Sequence, residues 1–308
     1  MDRVKLQGLS AVGEEPLRIC KAVIPVAGMG TRFLPITKSV PKEMLPLLDR
    51  PVIQEVVEET VRSGIRDIVL VTGMGKSSIE DYFDISPHLE SFLAKSNRKK
   101  LLERVRDISR FAEIASVRQK EPMGLGHAIL CARNFVGNEP FGVLLGDDII
   151  DSDVPCLSQL IHVFEKVGRT VIALQEVPPE EVDRYGIIEG EMVEPGLYRV
   201  SRLVEKPSPG EAPSNLAVIG RYILPPAVFG IIDSLDPGAG GEIQLTDALD
   251  RLAADEGVFG LVFDGLRHDT GNLLGFISAN IHYALKDPDL GPRLRSYIEK
   301  RLEQDDDL

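Results

Sequence analysis

A chain of 308 residues with 43% hydrophobic side chains is long enough to bury a large core, as one big α/β domain or two smaller ones. Its formal net charge of −13 argues against a nucleic-acid-binding surface, which needs a basic face, but allows a small anion held by a few local cations. Its three cysteines form no CxxC pair, Met1 to Glu15 has no apolar signal-peptide core, and no apolar run approaches the ~20 residues that span a bilayer. Reduced thiols in a cytoplasm, with no membrane partner, are the expectation. In chain order, KAVIPVAG (Lys21–Gly28) reads as a buried strand entering a Gly-rich turn. The run PVIQEVVEETVRSGI then sets Ile53, Val56, Val57, Thr60 and Val61 at helical spacing, with Gly64 as the stop. DIVLVTG (Asp67–Gly73) is a second strand, giving the βαβ signature of a parallel sheet. Residues Ser86 to Ser109 form a charged helical insertion. The pattern resumes with a strand at Ile114–Val117, a helix over Gly126–Phe135 and a strand at Phe141–Asp148, followed by another at Thr170–Val177.

These elements predict an open, mostly parallel, Rossmann-like sheet with helices on both faces. Ligands bind such sheets beyond the carboxyl ends of the strands, where AGMGTR and GDD both lie. Residues 178–222 change character: Pro, Gly and short strand candidates (YGIIEG, LYRVSRLVEK) predict an antiparallel, β-rich subregion folded against the main sheet. Helices return after Gly241, with EIQLTDALDRLAADEG amphipathic, and EQDDDL reads as a solvated tail. The expected boundaries are an extension over 1–17 without fixed order, an α/β domain over 18–265, and a terminal turn with helices over 266–308.

From Pro16 to Lys42 the acidic chain has no Asp or Glu, yet Arg18, Lys21, Arg32, Lys38 and Lys42 all fall there. Such a stretch suits an anionic ligand. Neither familiar phosphate motif fits: GMGTRF has Phe33 where the dinucleotide fingerprint needs Gly, and GMGKSS has Leu70 where a P-loop needs Gly. Gly28 and Gly30 can still offer backbone N–H groups, with Arg32 and Lys42 as cations for the same phosphates. Asp147, at the end of an apolar run, is placed to hold Mg²⁺, which takes one or two carboxylates plus phosphate oxygens and water. The five histidines share no spacing that suggests a joint site.

The loop G-x-G-T-R-x-x-P (Gly28–Pro35), followed by PKEMLP (Pro41–Pro46), resembles the signature of sugar-nucleotide pyrophosphorylases. Val117–Asp148, VEKP (Val204–Pro207), GEIQLTDAL (Gly241–Leu249) and RHDTG (Arg267–Gly271) are similar, in order and spacing, to bacterial UTP–glucose-1-phosphate uridylyltransferases. The likeness spans roughly Arg18 to Leu285. It implies conversion of UTP and glucose 1-phosphate to UDP-glucose and pyrophosphate with Mg²⁺, by a homo-oligomer, dimer or tetramer. It also implies that Ala27, Gly28, Gly30, Thr31, Arg32, Gln119, Gly124 and Asp148 meet the nucleotide, Gln119 reading the pyrimidine. Gly186, Glu205, Lys206 and Gly220 would meet the sugar phosphate, and Asp147 with Asp269 the metal. Arg32, Lys42, Asp147 and Lys206 would carry the catalysis. His268, Asn272 and Phe276 depart from the family pattern around Asp269, so packing near the sugar could differ. Alternatives are transfer from dTTP or to another sugar 1-phosphate, and, in another class, a non-catalytic regulatory paralogue or a nucleotide-binding regulator. The first is near in energy, since one methyl is worth only ~1–3 kcal/mol in a pocket.

Overall fold

Alternation of apolar residues decides how the first strand is buried. In β1 (Lys21–Pro25), Ala22 and Ile24 enter one core and Val23 the other, all at 0% exposure. The computed structural model describes residues 18–238 and 241–305; the extension expected over 1–17 and the end of the acidic tail lie outside the described residues. Three short 3₁₀ turns between Thr31 and Met44 lead to the small hairpin β2 (Pro46–Leu47) and β3 (Arg50–Pro51). Helix α1 (Val52–Arg62) buries the predicted Ile53, Val56, Val57 and Thr60. It stops where expected: Gly64 takes φ +86° and the Ile65 N–H donates back to the Thr60 carbonyl at 3.2 Å, closing the helix end.

After β4 (Asp67–Thr72) come α2 (Ser77–Phe83) and the predicted insertion, a pair of helices α3 (Pro87–Lys95) and α4 (Lys99–Ile108) packed on each other. Strand β5 (Glu113–Arg118) precedes α5 (Gly124–Cys131) and the single turn α6 (Arg133–Val136). The helix expected over Gly126–Phe135 thus starts two residues earlier and breaks at Ala132. The strand expected over Phe141–Asp148 is also two elements, β6 (Phe141–Leu144) and β7 (Asp148–Asp151), with Asp147 in the turn between them. Next are α7 (Cys156–Val167), β8 (Thr170–Glu176), β9 (Gly186–Glu194), β10 (Leu197–Glu205) and β11 (Leu216–Leu224). The chain ends with α8 (Ala227–Asp233), α9 (Leu245–Asp255), β12 (Val258–Val262), β13 (Leu266–Asp269), α10 (Leu273–Lys286) and α11 (Gly291–Asp305).

Nine strands form one sheet in the order β5-β4-β1-β6-β11-β8-β12-β10-β9. The parallel pattern holds through β5, β4, β1 and β6 and again between β8 and β12. Strand β11 enters antiparallel to both β6 and β8, so the sheet is mixed. The β-rich subregion does not fold against this sheet; β9 and β10 extend its edge, with Ala217 of β11 also paired to Ile187 of β9. All nine residues of β11 are buried, and each fully buried aliphatic side chain contributes ~1.5–3 kcal/mol. Helices α1 and α7 cover one face and α5, α8 and α9 the other. A third cluster of Leu47, Val52, Ile149 and Ala279 docks α10 beside the β7–β13 pair. No helix among the described residues is long and apolar enough to cross a membrane.

Candidate functional site

Two cavities open beyond the carboxyl ends of β1, β5 and β6, and they meet. The first, about 330 Å³, is lined by Ala27, Gly28, Lys42, Gln119, Gly124 and Asp147 among others. The second, about 320 Å³, takes in Arg32, Asp148, Gly186, Glu205, Lys206, Gly220 and Asp269. Leu125, Leu145, Asp147 and Glu242 belong to both walls. The structure therefore gathers most of the predicted residues into one continuous cleft with Asp147 at the junction. Arg32 faces the second cavity, not the first, and Gly30 and Thr31 line neither. Of the loop's other cations, Lys38 lines a neighbouring cavity with Gly73 to Lys76, whereas Lys21 turns away to Glu139 and the Val136 carbonyl.

The loop after β1 is held locally. Gly30 takes φ +66°, and its carbonyl accepts from the Thr37 hydroxyl at 2.8 Å. A Cβ on Gly28 would lie 3.7 Å from Lys42 Cε, so the lysine stem runs over this glycine. The Lys42 ammonium donates to Asp147 Oδ2 at 2.5 Å. Burial works against the Lys42 charge, but Asp147 and then Glu43 outweigh it and raise its pKa above the ordinary lysine value. Burial likewise pushes Asp147 up, but Lys42 wins and holds its carboxyl below the usual aspartate range. Glu43, the first acid after the acid-free stretch, is 1% exposed and pairs with Lys76 at 2.7 Å. GMGKSS thus braces the phosphate-loop candidate: Lys76 neutralises Glu43, and a Cβ on Gly73 would sit 3.1 Å from the Ala27 carbonyl.

Asp147 and Asp269 face a common space. A Cβ on Gly271 would lie 2.6 Å from Asp147 Oδ2 and 3.0 Å from Asp269 Oδ1, so Gly271 leaves open the gap that two carboxylates flank. Strand pairing builds this gap: Asp269 stands opposite Asp148 in β13–β7, and the Thr270 hydroxyl and N–H both donate to the Asp147 carbonyl, at 2.6 and 2.9 Å. Asn272 donates to Asp269 Oδ2 at 2.9 Å while capping α10 through Gly275, so this departure from the family pattern supports the carboxylate. Two carboxylates, with further positions left to phosphate and water, suit Mg²⁺ better than a closed protein cage. No cluster of three or more metal-ligating side chains occurs among the described residues.

Asp148 is spent on structure. Its Oδ1 accepts from Arg267 Nε at 2.7 Å and Nη2 at 2.6 Å, and its Oδ2 from the Gly220 N–H at 3.1 Å. Burial pushes its carboxyl up and Arg267 opposes this; burial works against the Arg267 charge, but Asp148 outweighs it and pushes the guanidinium well up. Gly220 is required here: a Cβ would lie 2.5 Å from Asp148 Oδ2. Arg267 also donates to the Tyr185 hydroxyl at 3.2 Å and lies over its ring. Across the second cavity Glu205 Oε2 accepts from the Thr246 hydroxyl at 2.5 Å, and Oε1 lies 3.2 Å from the half-exposed Lys206 ammonium.

Several residues were missed by reading the sequence. Arg221, 0% exposed, donates to both oxygens of Glu59 and to the carbonyls of Gly220 and Asp148, clamping the turn that carries Asp147. Arg267 stood inside a quoted motif, but nothing local marks its partner 119 residues away. His127, one of the five histidines without a suggestive spacing, lies with Nδ1 3.0 Å from Gln119 Nε2. His268 and His282 carry no shared spacing, yet their ring centroids are 4.7 Å apart.

The Nucleotidyl transferase family model matches residues 21–286. The chain is 50% identical over 289 residues to the UTP–glucose-1-phosphate uridylyltransferase of Bacillus subtilis (strain 168), covering 94% of this chain and 99% of that one. It is similar to a crystal structure of UDP-glucose pyrophosphorylase complexed with UDP-glucose, at 44% identity and TM-score 0.81 over 88% of this chain and 100% of that one. A UTP-bound UGPase from Acinetobacter baumannii gives 40% identity and TM-score 0.84, over 91% and 99%. With two thirds of its length and more shared at this identity, the chain belongs to the nucleotidyl transferase family.

Proposed function

We propose that this chain transfers the uridylyl group of UTP to glucose 1-phosphate, forming UDP-glucose and pyrophosphate. The observation that carries this is the junction of two cavities at Asp147, one lined by Gly28, Lys42 and Gln119, the other by Glu205, Lys206 and Arg32. A phosphate oxygen of the sugar phosphate attacks the α-phosphorus of UTP, and the bond to the pyrophosphate oxygen breaks in line. With a second phosphate pKa near ~6 the nucleophile is already anionic, so no general base is needed. The task is to align two anions and neutralise them.

Ala27, Gly28, Gly30 and Thr31 would border the triphosphate, and Gln119 with Gly124 the uracil. A triphosphate over Gly28 offers the Lys42 ammonium a second anion beside Asp147, so Lys42 can follow charge from the nucleotide to the leaving pyrophosphate. Arg32 and Lys206, which both line the second cavity, would hold the sugar phosphate in place. The Glu205 carboxylate would accept from sugar hydroxyls beside Gly186 and Gly220. Asp148 would keep Gly220 and the Asp147 turn in register. Asp147 and Asp269 would hold Mg²⁺, which when bound supplies charge neutralisation at the phosphates. A cytoplasmic location accords with three free cysteines, and self-association into a dimer or tetramer with the exposed Leu273, Leu274 and Ile277 of α10.

The test is pyrophosphate release by the purified chain with UTP, glucose 1-phosphate and Mg²⁺, beside arms with dTTP, galactose 1-phosphate and EDTA. Release with UTP and glucose 1-phosphate that EDTA abolishes is expected. Folded protein that releases none would overturn the assignment in favour of a regulatory protein.

A further inference from the structure

Gln119 follows β5, its backbone N–H bonded to the Thr72 carbonyl at 2.8 Å, and its side chain is only 8% exposed. Its amide nitrogen carries two protons, and the structure places an acceptor for each. One goes to the Gly124 carbonyl at 3.1 Å, the other to His127 Nδ1 at 3.0 Å. The backbone on either side of Gly124 is tied to Ile243, whose N–H donates to the Met123 carbonyl at 2.8 Å and whose carbonyl accepts from the Gly126 N–H at 2.9 Å, so the Gly124 carbonyl cannot easily turn away. With both amide protons used, Oε1 is the polar atom left, and among the described residues no donor meets it. Gln119 lines both the first cavity and the neighbouring one that holds Lys38, and with both amide protons taken it has an acceptor and not a donor to offer there.

We propose that His127 is a positioning residue for nucleobase choice: with Gly124 it locks the Gln119 amide so that only Oε1 faces the base. This rests on the cavity holding a pyrimidine nucleotide. Uracil presents an N3–H donor, which Oε1 accepts. Cytosine presents a bare N3, which Oε1 repels. Reversing the amide would set Oε1 against the Gly124 carbonyl oxygen, an acceptor facing an acceptor in a buried place. His127 supports the lock only through an unprotonated Nδ1, which puts its ring proton on Nε2. Its ring is half-buried on the first turn of α5 and does not line the cavity, so its effect on a base passes through Gln119.

The experiment compares UTP and CTP on the full chain by equilibrium binding without sugar phosphate, and by kcat and KM with glucose 1-phosphate. In His127→Leu the UTP:CTP preference is expected to fall by roughly tenfold or more, the worth of about one hydrogen bond, through binding and KM with kcat for UTP little changed. His127→Asn, which keeps an acceptor oxygen near the Nδ1 position, restores the preference. Because both nucleotides meet the same preparation, any loss of folded protein cancels in the ratio. An unchanged ratio in His127→Leu, or a ratio in His127→Asn that falls with it, overturns the inference while leaving the uridylyl transfer intact. UTP-selective binding by a wild-type chain that turns nothing over overturns the proposed reaction and leaves the base lock standing.

Discussion

Replacing Glu59 by Gln removes one charge from the most enclosed ion pair of the cleft. Glu59 Oε1 accepts from Arg221 Nε at 3.0 Å and from the Leu157 N–H at 3.1 Å; Oε2 accepts from Arg221 Nη2 at 2.7 Å and Nε at 3.1 Å. The two side chains are 3% and 0% exposed. Glutamine keeps the volume and one oxygen, but it turns the other acceptor into an NH₂ group against a guanidinium that water cannot reach. Leaving a buried charge without its partner costs ~3–5 kcal/mol. With a urea slope of ~3 kcal/mol/M, the midpoint should fall by roughly 1–1.7 M. Equilibrium urea unfolding followed by circular dichroism reads this. Activity should fall as well, since Arg221 donates to the Asp148 and Gly220 carbonyls and fixes the turn bearing Asp147. The double variant Glu59→Leu, Arg221→Met removes both charges and should recover part of the loss. It stays below wild type, because the Leu157 N–H and those carbonyls lose their partners at ~1–3 kcal/mol each. A Gln variant whose midpoint is unmoved within the error of the fit would refute the view that Arg221 depends on Glu59.

Gly271→Ala places a methyl 2.6 Å from Asp147 Oδ2 and 3.0 Å from Asp269 Oδ1, so turnover should drop by about 10²-fold and half-saturating Mg²⁺ should rise, with little change in thermal midpoint. Gly186→Ala crowds the Thr246 hydroxyl at 2.9 Å and Glu205 Oε2 at 3.4 Å; KM for glucose 1-phosphate should rise about tenfold, as for one lost hydrogen bond, while KM for UTP holds. Asp151 is bonded to Lys286 at 2.6 Å and His282 at 2.7 Å, and although burial pushes its carboxyl up, these hydrogen bonds hold it below the usual aspartate value. A depressed folded pKa means the stabilisation is full above that value and drains away as pH falls through the folded one. Asp151→Asn should therefore cost less than ~1 kcal/mol near neutral pH, as the group is partly exposed, and nothing once the wild-type carboxyl is protonated; unfolding midpoints across an acid titration check this.

What could be read in the chain was local. Three consecutive apolar residues in β1 and the i, i+3, i+4 spacing of α1 determine their own burial, and Gly64 ends its helix by backbone conformation alone. The phosphate-loop candidate was legible as an absence of acids, and Lys42, Gly28 and Asp147 do converge there. The run Phe141–Asp148 read as one strand because its apolar residues are continuous, but strand β11 pairs with Leu144 and the Thr270 loop captures the Asp147 carbonyl, which turns the chain at Gly146. Pairing of β11 between β6 and β8 is a long-range choice with no local mark, so the mixed sheet was not foreseeable. The same holds for Arg221 and Glu59, 162 residues apart, where each looks like an ordinary surface charge until the sheet buries both.

The central claim, that one cleft joins UTP to glucose 1-phosphate at Asp147, is tested most directly by following phosphorus. With both substrates, Mg²⁺ and the purified chain in one tube, ³¹P NMR should show the two resonances of UDP-glucose growing in step with pyrophosphate, and neither when the sugar phosphate is left out or when Asp147→Ala replaces the wild type. UTP that persists beside folded protein, or orthophosphate formed in place of pyrophosphate, would contradict it.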